Sequence, residues 1–176
     1  QDYQLITSIK QLEDWIKKIS IAKLTAIDTE TTGLDSMQAK LVGISLATKA
    51  GQAGYIPVGH DYADCPEQLD VNLVLKKLKP WLEDPKQQKV GQNLKFDLHI
   101  FNNHGIRMRG IAHDTLLQSY VLESHRKHDL DSLAQRHLGL KTTSYDEITG
   151  KGVKRISFSK VDLNVARDYA AEDADI

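Results

Sequence analysis

The chain has 176 residues, 40% hydrophobic and 27% charged, with 23 basic against 24 acidic side chains and a net charge of −1. That length and mixture describe one globular domain with a core of ordinary size, and they argue against a strongly basic nucleic-acid binder while leaving local binding open. The single cysteine, Cys65, excludes an internal disulfide and a thiolate-rich zinc site and fits a reducing, cytoplasmic setting. The longest uncharged apolar run, "LVGISLAT", falls far short of the roughly 20 residues that span a bilayer, and "QDYQLITSIKQLED" has no signal-peptide pattern.

In chain order, "YQLI" reads as a short strand, and Ser8 with Gln11 forms a capping box that opens a helix through about Ile19. "KLTAIDTE", "LVGISLAT" and "AGYIPV" read as three strands, the last two joined by a hairpin turn at "KAGQ". A loop without clear period runs from Gly59 to Asp70. A helix from about Val71 to Glu83 follows, which Pro80 is expected to break or restart. "QKVGQ" is a short strand and "NLKFDLHIFNNHG" a helix capped at Gly105. "IRMRGIAHD" holds another strand, and Asp114 caps the helix "TLLQSYVLES". "LDSLAQRHLGL" is a helix ending at Gly139, and "TTSYDEITGKGVKRISFSK" is loop with one helical turn. The last helix starts near Asp162 and meets no Gly, Pro or basic stop, so the chain reads as a domain of a longer protein. Strands come first and helices mostly later, with one helix between strands. The expected class is α/β, a mixed β-sheet flanked by α-helices.

Asp28 and Glu30 end the strand "LTAIDTE" and share one face with Leu24 and Ala26, because strand side chains alternate. Two like charges at that spacing repel, and burying them is costly. Asn93 and Asp97 are four apart on one helix face, as are Tyr169 and Asp173 on the last helix, with Ala170 and Ala171 left for packing. If both helices reach the end of the Asp28 strand, four carboxylates converge, and two divalent cations cancel their charge. Mg²⁺ or Mn²⁺ suits oxygen ligands. Setting these four aside leaves 20 acids against 23 bases, a mildly positive surface.

"DTET", "GQNLKFD" and "YAAEDAD", in that order, resemble the three motifs of the DEDD 3′–5′ exonuclease family. The Tyr-x-x-x-Asp form of the third places the resemblance in the tyrosine branch; Asp168, and no His, lies five residues before Asp173. With "LVGISLA", "YIPVGHDY", "LDSLAQRHLG" and "YDEITGKG", nearly the whole chain resembles the proofreading domain of bacterial DNA polymerase I enzymes. The resemblance implies a ribonuclease H-like fold over residues 1–176 and a polymerase region elsewhere in the same chain. It implies a monomer without membrane contact, acting on single-stranded DNA 3′ ends at the bacterial nucleoid. It further implies that Asp28, Glu30 and Asp173 hold one metal and that Asp28 shares a second with Asp97, with Zn²⁺ admissible at one site. Two such metals clamp the attacking and leaving oxygens of an in-line displacement that releases nucleoside 5′-monophosphates. A tyrosine pKa of about 10 is too high for an effective base at pH 7, where the hydroxyl stays protonated, so Tyr169 is assigned to orienting the attacking water.

The resemblance also marks candidate DNA contacts: Thr31, Leu34, Gln92, Asn93, Phe96, Lys127 and Tyr145. Asn93 reads equally as a helix cap, Leu34 as a core leucine and Phe96 as core, where the family usually carries Tyr. "GKGVKRISFSK" lacks the Walker spacing and reads as a surface loop, with phosphate contact and a role for Phe158 the lesser reading. Glu172, Asp175 and the seven histidines are expected to be solvated surface. Two alternatives remain: an RNA-trimming relative of the same branch, and a silent DNA-binding or structural module.

Overall fold

The computed structural model describes residues 1–176, and its elements follow the expected order with three departures. β1 (Asp2–Leu5) leads to α1 (Ile9–Ile21), whose capping box forms: Ser8 Oγ accepts from Gln11 N–H, and Gln11 Oε1 accepts from Ser8 N–H at 3.0 Å. β2 (Thr25–Thr31), β3 (Leu41–Lys49) and β4 (Gln52–Pro57) form an antiparallel meander, turning between β3 and β4 through Gly51 at φ 78°. α2 (Val71–Glu83) is unbroken, contrary to expectation. Pro80 and Lys76, whose carbonyl loses its donor, both face solvent, so water can replace the missing bond. β5 (Lys89–Gly91), α3 (Leu94–Asn103), β6 (Ile111–Asp114) and α4 (Thr115–Leu122) follow.

The helix expected over "LDSLAQRHLGL" is split. α5 (Leu130–Leu133) widens into a π-helical turn over Ala134–Leu138, closed where Gly139, at φ 68°, donates its N–H to the Ala134 carbonyl. α6 (Tyr145–Thr149), two 3₁₀ turns at Gly152–Lys154 and Phe158–Lys160, and α7 (Leu163–Asp175) complete the chain. Three helices, rather than one, separate strands. They supply the crossovers that parallel pairing needs. The six strands lie in the order β1-β4-β3-β2-β5-β6, with β1–β4, β2–β5 and β5–β6 parallel.

The two faces of the sheet differ in side-chain size. One buries Ile27, Ile44, Leu46 and Ile56 against Leu12, Trp15 and Ile19 of α1, Leu78 and Trp81 of α2, and Leu94 and Phe101 of α3. The other presents Ala26 opposite Ala47, Asp28 opposite Ser45, and Glu30 opposite Gly43. Ala171 and Ala174 of α7 pack on Ala47 and Ala53 there. Small residues on both sides let the helix backbone lie close to the strands. Gly43 is obligatory, since a Cβ there would fall 2.1 Å from the Tyr55 hydroxyl oxygen. That hydroxyl lies 2.8 Å from His60 Nε2, while His60 Nδ1 lies 3.0 Å from the Val161 carbonyl. A carbonyl only accepts, so Nδ1 carries the proton and Tyr55 donates to Nε2.

His60 and His128 are therefore buried and bonded, not solvated as expected, and Phe158 lies wholly in the core beside Tyr55, Val161 and Ala170. No helix is long and apolar enough to cross a membrane.

Candidate active site

Where β2 reaches the end of the sheet, its register with β3 shifts between Glu30 and Thr31, a bulge of the kind that re-aims side chains. Asp28 and Glu30 point toward α7, and α7 returns Asp173 to meet them. One oxygen from each of the three lies within 4.8 Å of the others. Asp97, on the first turn of α3, is 2% exposed and accepts a 2.6 Å hydrogen bond from the Thr29 hydroxyl. Burial pushes Asp28 up to about 7. Burial raises Glu30 well above the usual carboxylate range, with further contributions from Asp28, Asp173 and Asp97. Asp97 and Asp173 are raised in the same way, first by burial and then by the Asp28 charge. None of the nine ion pairs in the molecule involves any of the four. The buried Ser45 hydroxyl, across from Asp28, has no hydrogen-bond partner.

Asp28, Glu30 and Asp173 open into a groove of about 630 Å³, whereas Asp97 lies behind Thr29 and lines neither the groove nor the three-carboxylate cluster. Thr31, Leu34, Phe96, Tyr145 and Tyr169 line it. Leu34 is 95% exposed on its rim, and does not fold back on the core. The Thr31 hydroxyl donates to the Gly33 carbonyl at 2.8 Å and fixes the loop that carries Leu34. Tyr145 packs between Phe158 and Tyr169, with ring centroids 6.2 and 6.1 Å away. Burial, then the Asp173 and Glu30 charges, hold the Tyr169 hydroxyl far above the ordinary tyrosine range.

A family model described as 3′–5′ exonuclease matches residues 3–176. The chain belongs to the 3′–5′ exonuclease family. It is 47% identical to DNA polymerase I of Pseudomonas aeruginosa over 99% of its own length and 20% of that protein, so it spans about a fifth of this relative. Among solved structures, Escherichia coli RNase D, titled an exoribonuclease, superposes with a TM-score of 0.68 at 19% identity, covering 99% of this chain and 42% of that one. Brucella melitensis NrnC with bound Mg²⁺ superposes at 0.62 and 20% identity, covering 88% and 68%. At those identities the likeness is one of fold, and the mixed sheet between helical layers is the ribonuclease H-like architecture of these nucleases.

In this exonuclease, three of the remaining candidates stand apart from the acidic groove. The Gln92 amide is committed at both ends: Nε2 donates to the His128 carbonyl and Oε1 accepts from the Thr115 hydroxyl, each at 2.6 Å. It lines a second groove, of about 490 Å³, between α4, α5 and the end of α7. Lys127 is exposed on the loop before α5, and its carbonyl accepts from Arg136 at 3.1 Å. Asn93 is exposed at φ 59° and makes no cap bond with its side chain. Asp114 caps the helix in its place, accepting from Leu94 N–H at 2.9 Å while also capping α4 through Leu117 N–H at 3.2 Å.

Glu172 and Asp175 are not idle surface. Glu172 accepts from Thr143 N–H at 2.7 Å. Asp175 accepts from Gly51 N–H at 2.6 Å and from the Tyr3 hydroxyl at 2.8 Å. Arg155, unsingled in the sequence, lines the acidic groove with Ile156 and Ser157. The basic residues of "GKGVKRISFSK" were its only local signal.

Proposed function

We propose that this chain hydrolyses the 3′-terminal phosphodiester of single-stranded DNA with two divalent cations, releasing nucleoside 5′-monophosphates as the proofreading activity of a DNA polymerase. One observation carries the reading: Asp28, Glu30 and Asp173 each bring an oxygen within 4.8 Å of the others, and no cationic side chain pairs with any of them or with Asp97, which is buried against Thr29 of the Asp28 strand. The donor set is oxygen only, and the carboxyls are strained upward by burial and mutual repulsion, which is what a site for hard cations requires. Asp28, Glu30 and Asp173 would hold one ion, and Asp28 with Asp97 the other. Mg²⁺ or Mn²⁺ suits both, and Zn²⁺ also takes carboxylate oxygens at one of them. When bound, such ions activate water and stabilise charge on the phosphoryl group.

The protein's own groups bind and orient. Tyr169 stays protonated and donates a hydrogen bond that aligns the attacking water beside Asp173. Leu34, Phe96 and Tyr145 give apolar surface for the last bases, and Thr31 steadies the rim. Asn93 offers a free amide, and Lys127 and Gln92 stand outside the acidic groove, where they would meet the strand only beyond its terminal nucleotides. No base-reading group is needed, because a mispaired end unpairs at lower cost and reaches the groove more often. Kinship with DNA polymerase I supports a polymerase region in the same chain and a bacterial source; a monomer in the cytoplasm, acting at the nucleoid, completes the proposal.

The fold neighbour titled an exoribonuclease favours RNA trimming as a second reading. Matched 5′-labelled DNA and RNA oligonucleotides, incubated with Mg²⁺ or Mn²⁺, separate them. Stepwise loss of 5′-monophosphates from DNA, abolished by EDTA and by Asp28→Ala, is the expected result. Faster cleavage of RNA would hand the site to the second reading. Binding without cleavage in either metal would leave a silent module.

A further inference from the structure

The acidic groove must admit a polyanion, and most of its charged lining repels one. Of its 14 lining residues, Asp28, Glu30 and Asp173 are acidic and Arg155 is the sole base. The guanidinium of Arg155 lies 5.8 Å from the Tyr145 ring centre and pairs with Asp146 Oδ1. Tyr145 in turn neighbours Tyr169, and both rings line the groove with Arg155 and the carboxylates. The segment bearing it is held on both sides. Arg155 N–H donates to the Gly152 carbonyl at 3.1 Å, and Ile156 N–H to the Thr149 carbonyl at 2.8 Å. Asp146 has a second cation, Lys151, 3.8 Å from its other oxygen.

We propose that Arg155 is a substrate-positioning residue that clamps a backbone phosphate of the bound strand, on the 5′ side of the scissile bond. This rests on the exonuclease reading above and adds a residue to it. A planar guanidinium grips two phosphate oxygens at once, which a lysine cannot do. It is half exposed, so its bond to Asp146 is exchangeable at little cost. When a phosphate takes Arg155, Asp146 keeps Lys151, and no charge is left alone. The apolar faces of Tyr145 and Leu34 then hold bases while the arginine holds backbone. The pair with Asp146 keeps the side chain at the groove wall, ready for that exchange.

Binding and cleavage are measured on Arg155→Ala, Arg155→Lys and Asp146→Asn. Binding of a labelled oligothymidylate is followed in EDTA, where the strand stays uncut, over a range of salt. For Arg155→Ala the dissociation constant rises about tenfold, and the slope of log affinity against log salt shrinks by about 0.7, one phosphate contact on a single strand. With Mg²⁺, KM for the oligonucleotide rises while kcat stays within about twofold. A dinucleotide has only the scissile phosphodiester, so wild type and Arg155→Ala cut it alike. Arg155→Lys recovers part of the affinity, and Asp146→Asn binds at least as tightly as wild type.

An unchanged slope and KM in Arg155→Ala would overturn the proposal while leaving the exonuclease reading intact. Equal losses in Arg155→Ala and Asp146→Asn, extending to the dinucleotide, would overturn it too, because they would mark a structural ion pair. A wild type that cuts nothing would refute the exonuclease reading, and the binding arm would still judge Arg155.

Discussion

Lys89 is wholly buried, with its ammonium 2.8 Å from the Gln87 carbonyl and 4.3 Å from the centre of the Trp81 ring. Burial lowers its pKa to about 8, against roughly 10.4 for a lysine in the unfolded chain. Below pH 8 both states hold the proton and the group adds no slope. Above it the folded state releases the proton first, so the unfolded chain binds more and stability rises with pH, by up to about 1.4 kcal/mol per unit. Lys89→Met keeps the apolar stem and removes the titration. In urea denaturation between pH 8 and 9.5, wild type should gain on Lys89→Met by about 1–2 kcal/mol. A constant difference across that window would mean that Lys89 keeps an ordinary pKa. Tyr169 shows the opposite sense of tuning, a hydroxyl held protonated, which is what the donor role proposed for it requires.

At the scale of the element, the meeting of Asp173 with Asp28 and Glu30 depends on how α7 sits on the sheet. Small residues allow the close approach, but they give no direction along the helix axis. Asp175 supplies it, tying the end of α7 to the β3–β4 turn through Gly51 and to β1 through Tyr3. Asp175→Ala should cost about 1–3 kcal/mol in urea denaturation by orphaning the Gly51 N–H and the Tyr3 hydroxyl. It should also weaken Mn²⁺ binding several-fold, because Asp173 lies two residues away on the loosened turn. Full stability with unchanged metal affinity would show that packing alone seats the helix. This anchor was illegible in the sequence because its partner is 172 residues away. The committed amide of Gln92 escaped notice in the same way, through contacts with Thr115 and His128. Signals carried within four residues were legible: the Ser8 capping box, the Asp28–Glu30 alternation, the Tyr169–Asp173 turn. Pro80 deceived because the cost of a helical proline depends on whether water reaches the freed carbonyl, which a sequence does not state.

The whole molecule carries a standing electrostatic burden that ties folding to pH and, if the proposed metal centre holds, to divalent cations. Unfolded, the carboxyls of Asp28, Glu30, Asp97 and Asp173 lose their protons near pH 4. Folded, Asp28 holds its proton to about 7 and the other three are raised well above their usual range. Between these limits the native state binds more protons than the unfolded one, so stability is present at low pH and lost as pH rises. His60, whose pKa burial lowers, works in the other direction, but its contribution is largely complete above pH 6.5. Carboxyls held below the ordinary range, such as Glu13 and Asp162, have already ionised in both states. From pH 6.5 to 8 the acidic cluster therefore dominates the slope. In EDTA the melting temperature should fall across that window. Excess Mg²⁺ or Mn²⁺ should raise it at pH 8, and raise it less at pH 6.5, because protons and cations compete for the same oxygens. Asp173→Asn should melt higher than wild type in EDTA at pH 8 and gain little from metal. A melting temperature indifferent to both pH and cation would mean that the carboxylates are solvated enough to ignore one another, and the reading of the groove as a metal centre would fall with that result.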